Sequence, residues 1–313
     1  MNKRNAILNL INGSQPDYTP AAFFLHFDQT CQQGQAAIEK HLEFFHATGM
    51  DFIKIQYEQV APPTPIRAPK DWAQAPSVNL AFFEPTIQVV AGLVKAAKAE
   101  EAPVVLTVYS PFMWAKQLVA AEVLEEHLRE NPEAVQKGLE ILTENVITLL
   151  RACKRVGVDG FYVSTQGGEA SRFPGTDIFQ KYIKPTDLAL WAEIADCPFN
   201  ILHVCDYHSG YADLNTFLDY PGHVINCNLE VGEERLTSVK VSQMFKRPFM
   251  GGMERLGTLA TGTTDEVRQA AAETLAAAPQ NFILGADCTV PAETPWENLK
   301  AAIDAAHSFH KGH

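Results

Sequence analysis

The sequence predicts an α/β protein, a single (β/α)8 barrel domain over residues 1–313. Eight short apolar runs, helical patterns between them, and the lack of a glycine-rich phosphate turn carry this reading. The runs are Ala21–His26, Phe52–Gln56, Val104–Tyr109, Gly160–Thr165, Asn200–Cys205, Val224–Glu230, Pro248–Met253 and Phe282–Cys288. Each has the length of a strand and follows a turn signal. Several are too uniformly apolar to leave a solvated face, which is how parallel strands covered on both sides read. A doubly wound sheet is the rival architecture. It carries its phosphate turn after the first strand, and none follows Phe27. Eight strand–helix alternations close naturally as a barrel.

The connecting elements follow in order. Residues 36–45 place Ala37, Ile38, His41, Leu42 and Phe45 on one helical face, and Gly49 stops the helix. The Pro-rich stretch from Tyr57 to Pro85 is long for a connection and reads either as a lid or binding loop or as a structural hairpin. Asn131 caps a helix with Pro132 in its first turn, and Gly157 ends it. Its apolar face runs through Val135, Leu139, Leu142, Val146, Leu149 and Cys153. Thr264 caps another helix, with Asp265 and Glu266 near the positive end of the dipole. Thr294 to Glu297 reads as a capping box for the last helix. No internal repeat and no linker divides the chain.

Composition narrows the function. Apolar residues make up 46% of the chain, enough for a large core, and the net charge of −12 is spread along it. Such a surface repels phosphate backbones, so nucleic acid is not an expected partner. No run approaches the roughly 18 apolar residues of a membrane span. The N-terminus lacks a signal-peptide pattern, so a mature, cytoplasmic protein is expected, as a monomer or homodimer. Six cysteines in such a chain suggest thiols, metal ligation or catalysis rather than disulfides.

The chemistry concentrates at strand ends, where barrel active sites lie. His203 and Cys205 are two apart at the end of the fifth run, so both side chains face one point. Cys288 closes the eighth run, across the barrel mouth. This donor set suits zinc, which favours imidazole and thiolate in tetrahedral sites. Cys227, in the sixth run, is either a fourth ligand or a core thiol; an open position for water or substrate argues against permanent ligation. Cys31, Cys153 and Cys197 receive no role. His26, Tyr57, Tyr109, Gln166 and Glu254 also end strands and are candidate substrate contacts. Asp206 and Asp287 adjoin the candidate ligands and are candidate acid–base groups, with Asp287 placed to orient a ligand. The C-terminal histidines His307, His310 and His313 read as a solvated cluster.

The segments HLEFFHATGMDFIK, TVYSPFMWA, ILHVCD, GGMERLGTLATGTTDEV and FILGADCTVPAETPWENLKAAIDAA together resemble the uroporphyrinogen decarboxylase superfamily over nearly the whole chain. Within it, the H-x-C…C pattern at His203, Cys205 and Cys288 is similar to the zinc methyltransferases typified by methylcobamide:coenzyme M methyltransferase. The decarboxylases' arginine-rich M-R-Q-A-G-R motif is missing, and AAFFLHFDQT stands in its region. The spacing also resembles cobalamin-independent methionine synthase, where a carboxylate occupies the place of Cys227; that similarity strengthens Cys227 as a ligand. The resemblance implies a zinc-activated thiol substrate that takes a methyl group from a corrinoid. No D-x-H-x-x-G corrinoid motif is present, so the corrinoid must come from a partner protein. A metal-independent decarboxylase and a non-catalytic corrinoid-partner protein are the alternatives.

Overall fold

The computed structural model describes residues 2–207 and 210–309. Seven of the eight expected runs form strands: β1 (Ile53–Ile55), β2 (Val104–Tyr109), β3 (Gly160–Thr165), β4 (Ile201–Val204), β5 (Val224–Cys227), β8 (Phe249–Met253) and β9 (Phe282–Ala286). They pair in chain order, all parallel, as one curled seven-stranded sheet with helices between successive strands. Two further strands, β6 (Glu230–Val231) and β7 (Glu234–Arg235), make a small antiparallel hairpin.

The eighth barrel strand is a correction. The run Ala21–His26 contributes one parallel bridge, Ala21 to Leu284, and no regular strand. The reason lies at Asp51. Its carboxylate accepts the Ala21 amide at 2.8 Å, and a donor held by a side chain cannot join a ladder. The segment still accepts from Leu284 N at Pro20 O and from Asp51 N at Ala21 O. At Gly160 the neighbouring backbone comes so close that a Cβ would stand 1.9 Å from the Phe199 carbonyl oxygen, so only glycine fits there.

Helix punctuation is largely local. The helix Gly34–Thr48 ends on Gly49 at φ 79, and Pro132–Val156 ends on Gly157 at φ 93. Asn131 accepts the Ala134 amide as expected. For Thr264–Ala277 the cap is Thr263, one residue earlier than expected, because the reciprocal bond with Glu266 needs a three-residue spacing. The box expected at Thr294 does not form. The Thr294 amide bonds Pro291 O, its hydroxyl is buried without a partner, and the helix Trp296–Ser308 starts one residue too late.

The stretch after Tyr57 is no hairpin. A short 3-10 helix, Pro69–Gln74, drives Trp72 against the helix Pro132–Val156, where Gly138 makes room for the indole. Trp72 Nε1 donates to His127 Nδ1 at 3.1 Å. The helix Leu80–Glu100 is, by length and composition, apolar enough to cross a membrane, with a mean hydropathy of 1.3. It packs between the helices Gly34–Thr48 and Pro132–Val156 with Phe83, Val89, Val90, Leu93 and Ala97 buried.

His307 also departs from expectation. It is not solvated; its Nε2 lies 2.8 Å from Asp51 Oδ2, and its ring stands edge-on to Tyr18. His310 and His313 lie outside the described residues.

One buried group makes stability depend on pH. Asp187 is fully buried; Oδ2 accepts from Thr165 Oγ1 at 2.5 Å and Tyr220 Oη at 3.0 Å, while Oδ1 has no partner. Burial pushes this carboxyl up to about 7. Below the unfolded value of about 4 both states hold the proton, so the group costs nothing. As pH rises from there towards 7, the unfolded chain ionises first and the fold loses stability. Asp187→Asn should therefore stabilise the protein by about 1–3 kcal/mol at pH 8 and lose that advantage near pH 4. Urea denaturation at the two pH values measures this, and an equal effect at both would refute it.

Candidate metal centre and cavity

Parallel pairing sets which side chains meet. His203 is laterally paired with Ser164 on β3 and with Asn226 on β5, so all three face the same side of the sheet. Cys205 lies just beyond the end of β4, with the same parity as His203, and Cys288 lies two residues beyond β9. The structure brings these three together. One ligand atom from each of His203, Cys205 and Cys288 lies within 4.8 Å of the others, and all three residues are buried. The Cys288 sulfur is 3.4 Å from His203 Nε2. Four-coordinate zinc with its usual bond lengths separates neighbouring ligand atoms by about 3.5–3.8 Å, so this donor set fits the ion in both chemistry and spacing. The contact between the two thiols is the largest influence on both. It holds Cys205 well below the ordinary thiol value and, with burial, holds Cys288 above it.

The trio stands in the wall of a cavity of about 930 Å³ at the C-terminal ends of the strands. One surrounding contact reaches a candidate ligand directly. Lys116 Nζ donates to Gln166 Oε1 at 2.7 Å, and this turns the Gln166 amide nitrogen to the Cys205 sulfur at 3.4 Å. Arg255, also in the cavity wall, bridges two carboxylates. Its guanidinium pairs with Asp287 and, at 3.3 Å, with Asp206, while its amide donates to Asp287 Oδ1 at 2.5 Å. Asn228 donates to the other oxygen of Asp206 at 2.7 Å. Burial raises the Asp287 carboxyl above its ordinary value, against the pull of Arg255.

The inner wall also carries a buried amine. Lys54, on β1, is buried; its Nζ donates to Gln56 Oε1 at 2.6 Å and sits over the rings of Tyr162 and Phe24. Gln56 Oε1 also accepts from Thr107 at 3.1 Å. Tyr162 in turn packs against the His203 ring, with centroids 5.0 Å apart. Burial pushes the Lys54 amine down to about 7, against the raising effect of Cys288, Glu58 and Cys205.

The remaining expected contacts divide. His26, Tyr109 and Gln166 line the cavity, with His26 Nδ1 2.8 Å from Glu58. Tyr57 does not; it is buried among Tyr109 and Trp114 with its hydroxyl unpartnered. Glu254 does not either; it lies exposed, paired with Arg235 at 2.6 Å. Asp206 and Asp287 hold Arg255 rather than face the cavity, so the group they present to it is a guanidinium. Cys227 is not gathered with the other candidate ligands. It pairs laterally with Val204, which puts its thiol on the opposite face from His203, inside the apolar core. No residue from Tyr57 to Pro85 lines the cavity. Sequence reasoning missed Lys54 and Arg255. The signal for Lys54 was a lone cation in the apolar run Phe52–Gln56, in phase with the interior positions. Arg255 follows a strand-ending segment in the same way.

The uroporphyrinogen decarboxylase (URO-D) family pattern matches residues 41–309. The chain belongs to that family. No protein of curated function matches this URO-D member by sequence. Among solved structures, it is similar to a methyltransferase from Methanosarcina mazei, with a TM-score of 0.76 and 15% identity over 98% of each chain. It is also similar to a B12-independent methionine synthase from Shewanella sp. W3-18-1, with a TM-score of 0.56 and 12% identity over 93% of each chain. A putative vitamin-B12 independent methionine synthase from Listeria monocytogenes gives 0.54 and 12%, over 93% of this chain and 97% of that one. At these identities the likeness establishes a shared fold.

Proposed function

We propose that this URO-D family member is a zinc-dependent methyltransferase that moves a methyl group, from a corrinoid presented by a partner protein, to a thiol bound in the cavity. The observation that carries the reading is the convergence of His203, Cys205 and Cys288 in the wall of the cavity. The overall likeness to a methyltransferase from Methanosarcina mazei supports it. In this reading the chain is one cytoplasmic domain, and the Ala21 segment completes its sheet towards a (β/α)8 barrel.

His203, Cys205 and Cys288 would hold the ion, which when bound lowers a thiol's pKa and keeps its sulfur nucleophilic at neutral pH. The protein's own groups do the rest. Gln166, held by Lys116, donates to the Cys205 sulfur and fixes its direction. Arg255, locked by Asp206 and Asp287, presents a cation at the cavity wall without being free to swing. Tyr162 packs beside His203 and excludes water from that flank. The exposed Tyr207 and Leu256 leave an apolar rim at the mouth, suited to a large planar methyl donor.

The test has two stages. Protein purified without chelator should contain zinc at about one ion per chain, as three protein ligands and one open position require. It should then transfer methyl from methylcobalamin to an added thiol. A metal-free preparation with full activity on a carboxylated substrate would replace this reading with the decarboxylase one.

A further inference from the structure

Asp206 and Asp287 are both spent on Arg255, so neither is free to take a proton in the cavity. The hydroxyls of Tyr109 and Tyr162 line the wall, but burial pushes both up and keeps their protons on. His26 is differently placed. The Phe24 ring lies against the Lys54 amine, so Phe24 points inward, and His26, two residues on, lines the cavity. The Val290 amide donates to Phe24 O at 2.8 Å, which lays this segment beside the one that follows Cys288. His26 Nδ1 lies 2.8 Å from Glu58 Oε1. A carboxylate only accepts, so in the neutral ring Nδ1 holds the hydrogen and Nε2 keeps its lone pair. The His26 side chain is 44% exposed and that of Glu58 18%, so the ring meets both the cavity and bulk water while the carboxylate stays sheltered behind it. A carboxylate in that place holds the ring in one tautomer and stabilises the imidazolium that forms when Nε2 takes a proton.

We propose that His26 is the general base of the cavity, with Glu58 as its positioning residue, and that it takes the proton given up by the acceptor thiol. The thiol S–H bond breaks and its electron pair stays on sulfur. The proton forms an N–H bond at Nε2, directly or through one water. The imidazolium then releases that proton to bulk water from its exposed side and returns to the neutral ring. The inference rests on the thiol acceptor of the proposed function, but not on the methyl donor.

Two measurements test it. In metal-free protein, nitrogen NMR of labelled histidine, assigned with a His26→Ala variant, should show the Nδ1–H tautomer for His26. Glu58→Ala should move the ring towards the Nε2–H form that free histidine prefers. An Nε2–H ring in the wild type overturns the proposal. The second measurement mixes zinc-loaded protein with 2-mercaptoethanol in weak buffer and follows proton release with a pH indicator, counted per zinc bound. The wild type should release about one proton per zinc. His26→Ala should slow that release at least about a hundredfold, and Glu58→Ala should slow it less. Added 2-methylimidazole, hindered as a metal ligand, should restore part of the rate in His26→Ala and leave the wild type unchanged. Release at the wild-type rate in His26→Ala overturns the proposal. A slow release that 2-methylimidazole leaves slow also overturns it, because the histidine would then only shape the wall. Release lost in Lys54→Met but kept in His26→Ala would assign the step to the buried amine instead. A wild type that releases no proton on thiol addition overturns the proposal whether or not methyl moves. Proton release through His26 without methyl transfer from methylcobalamin would leave this inference standing and remove the methyltransferase reading.

Discussion

Cys288→Ala should leave the protein folded and almost devoid of zinc. Three ligands are the fewest that catalytic zinc sites ordinarily use, and removing one thiolate leaves an imidazole and a single sulfur. Cys288 lies beyond the end of β9 and is not part of the main apolar cluster, so its truncation opens little core. Cys205→Ala should behave alike. Cys227→Ser is the informative control. Its thiol sits on the far face of β5, fully buried, where desolvation holds it strongly protonated. The serine variant should keep its zinc and lose stability instead, by about 1–3 kcal/mol for a hydroxyl buried where a weakly polar thiol had been. Metal content by elemental analysis and thermal unfolding separate the two outcomes. Full zinc in Cys288→Ala, or zinc loss in Cys227→Ser with the fold unchanged, would each require a different ligand set.

Arg255→Met should be among the most damaging single changes near the cavity. Asp206 and Asp287 have side chains only about a tenth exposed, and the guanidinium between them is their shared counter-ion. Removing one partner of a buried ion pair leaves an uncompensated charge, which typically costs about 3–5 kcal/mol. The loss is testable as coupling. Arg255→Met combined with Asp287→Asn should recover a large part of the stability lost in the single variant, because the orphaned charge goes with it. Urea denaturation of the two single variants and the double variant gives the interaction energy. Additive losses would mean that Arg255 acts by packing, through its stacking over Tyr207 at 5.7 Å, and not through the carboxylates.

Much of this protein was legible in its sequence because the determining physics is local. Strand-length apolar runs covered on both faces identified seven strands, and the glycines at 49 and 157 marked helix ends because only glycine adopts those positive φ values without strain. His203 and Cys205 could be placed together from a two-residue period alone, and Cys288 from its place at the end of the eighth run, across the mouth of the expected barrel. The tertiary structure decided whatever depends on register and on distant partners. Whether Cys227 joins the site turns on its lateral pairing with Val204 rather than His203, a one-residue shift in register that local sequence does not encode. Ala21–His26 looks like a strand in composition, yet the Asp51 carboxylate, 30 positions away, takes the amide that a ladder would need. His307 reads as a solvated tail residue until the fold lays the last helix beside that same aspartate. Asp206 and Asp287 look like acid–base candidates from their neighbours in sequence. The fold turns them onto Arg255, because two buried carboxylates are stable only with a cation between them, and it leaves the Lys54 amine in the cavity wall without an ion-pair partner among the described residues.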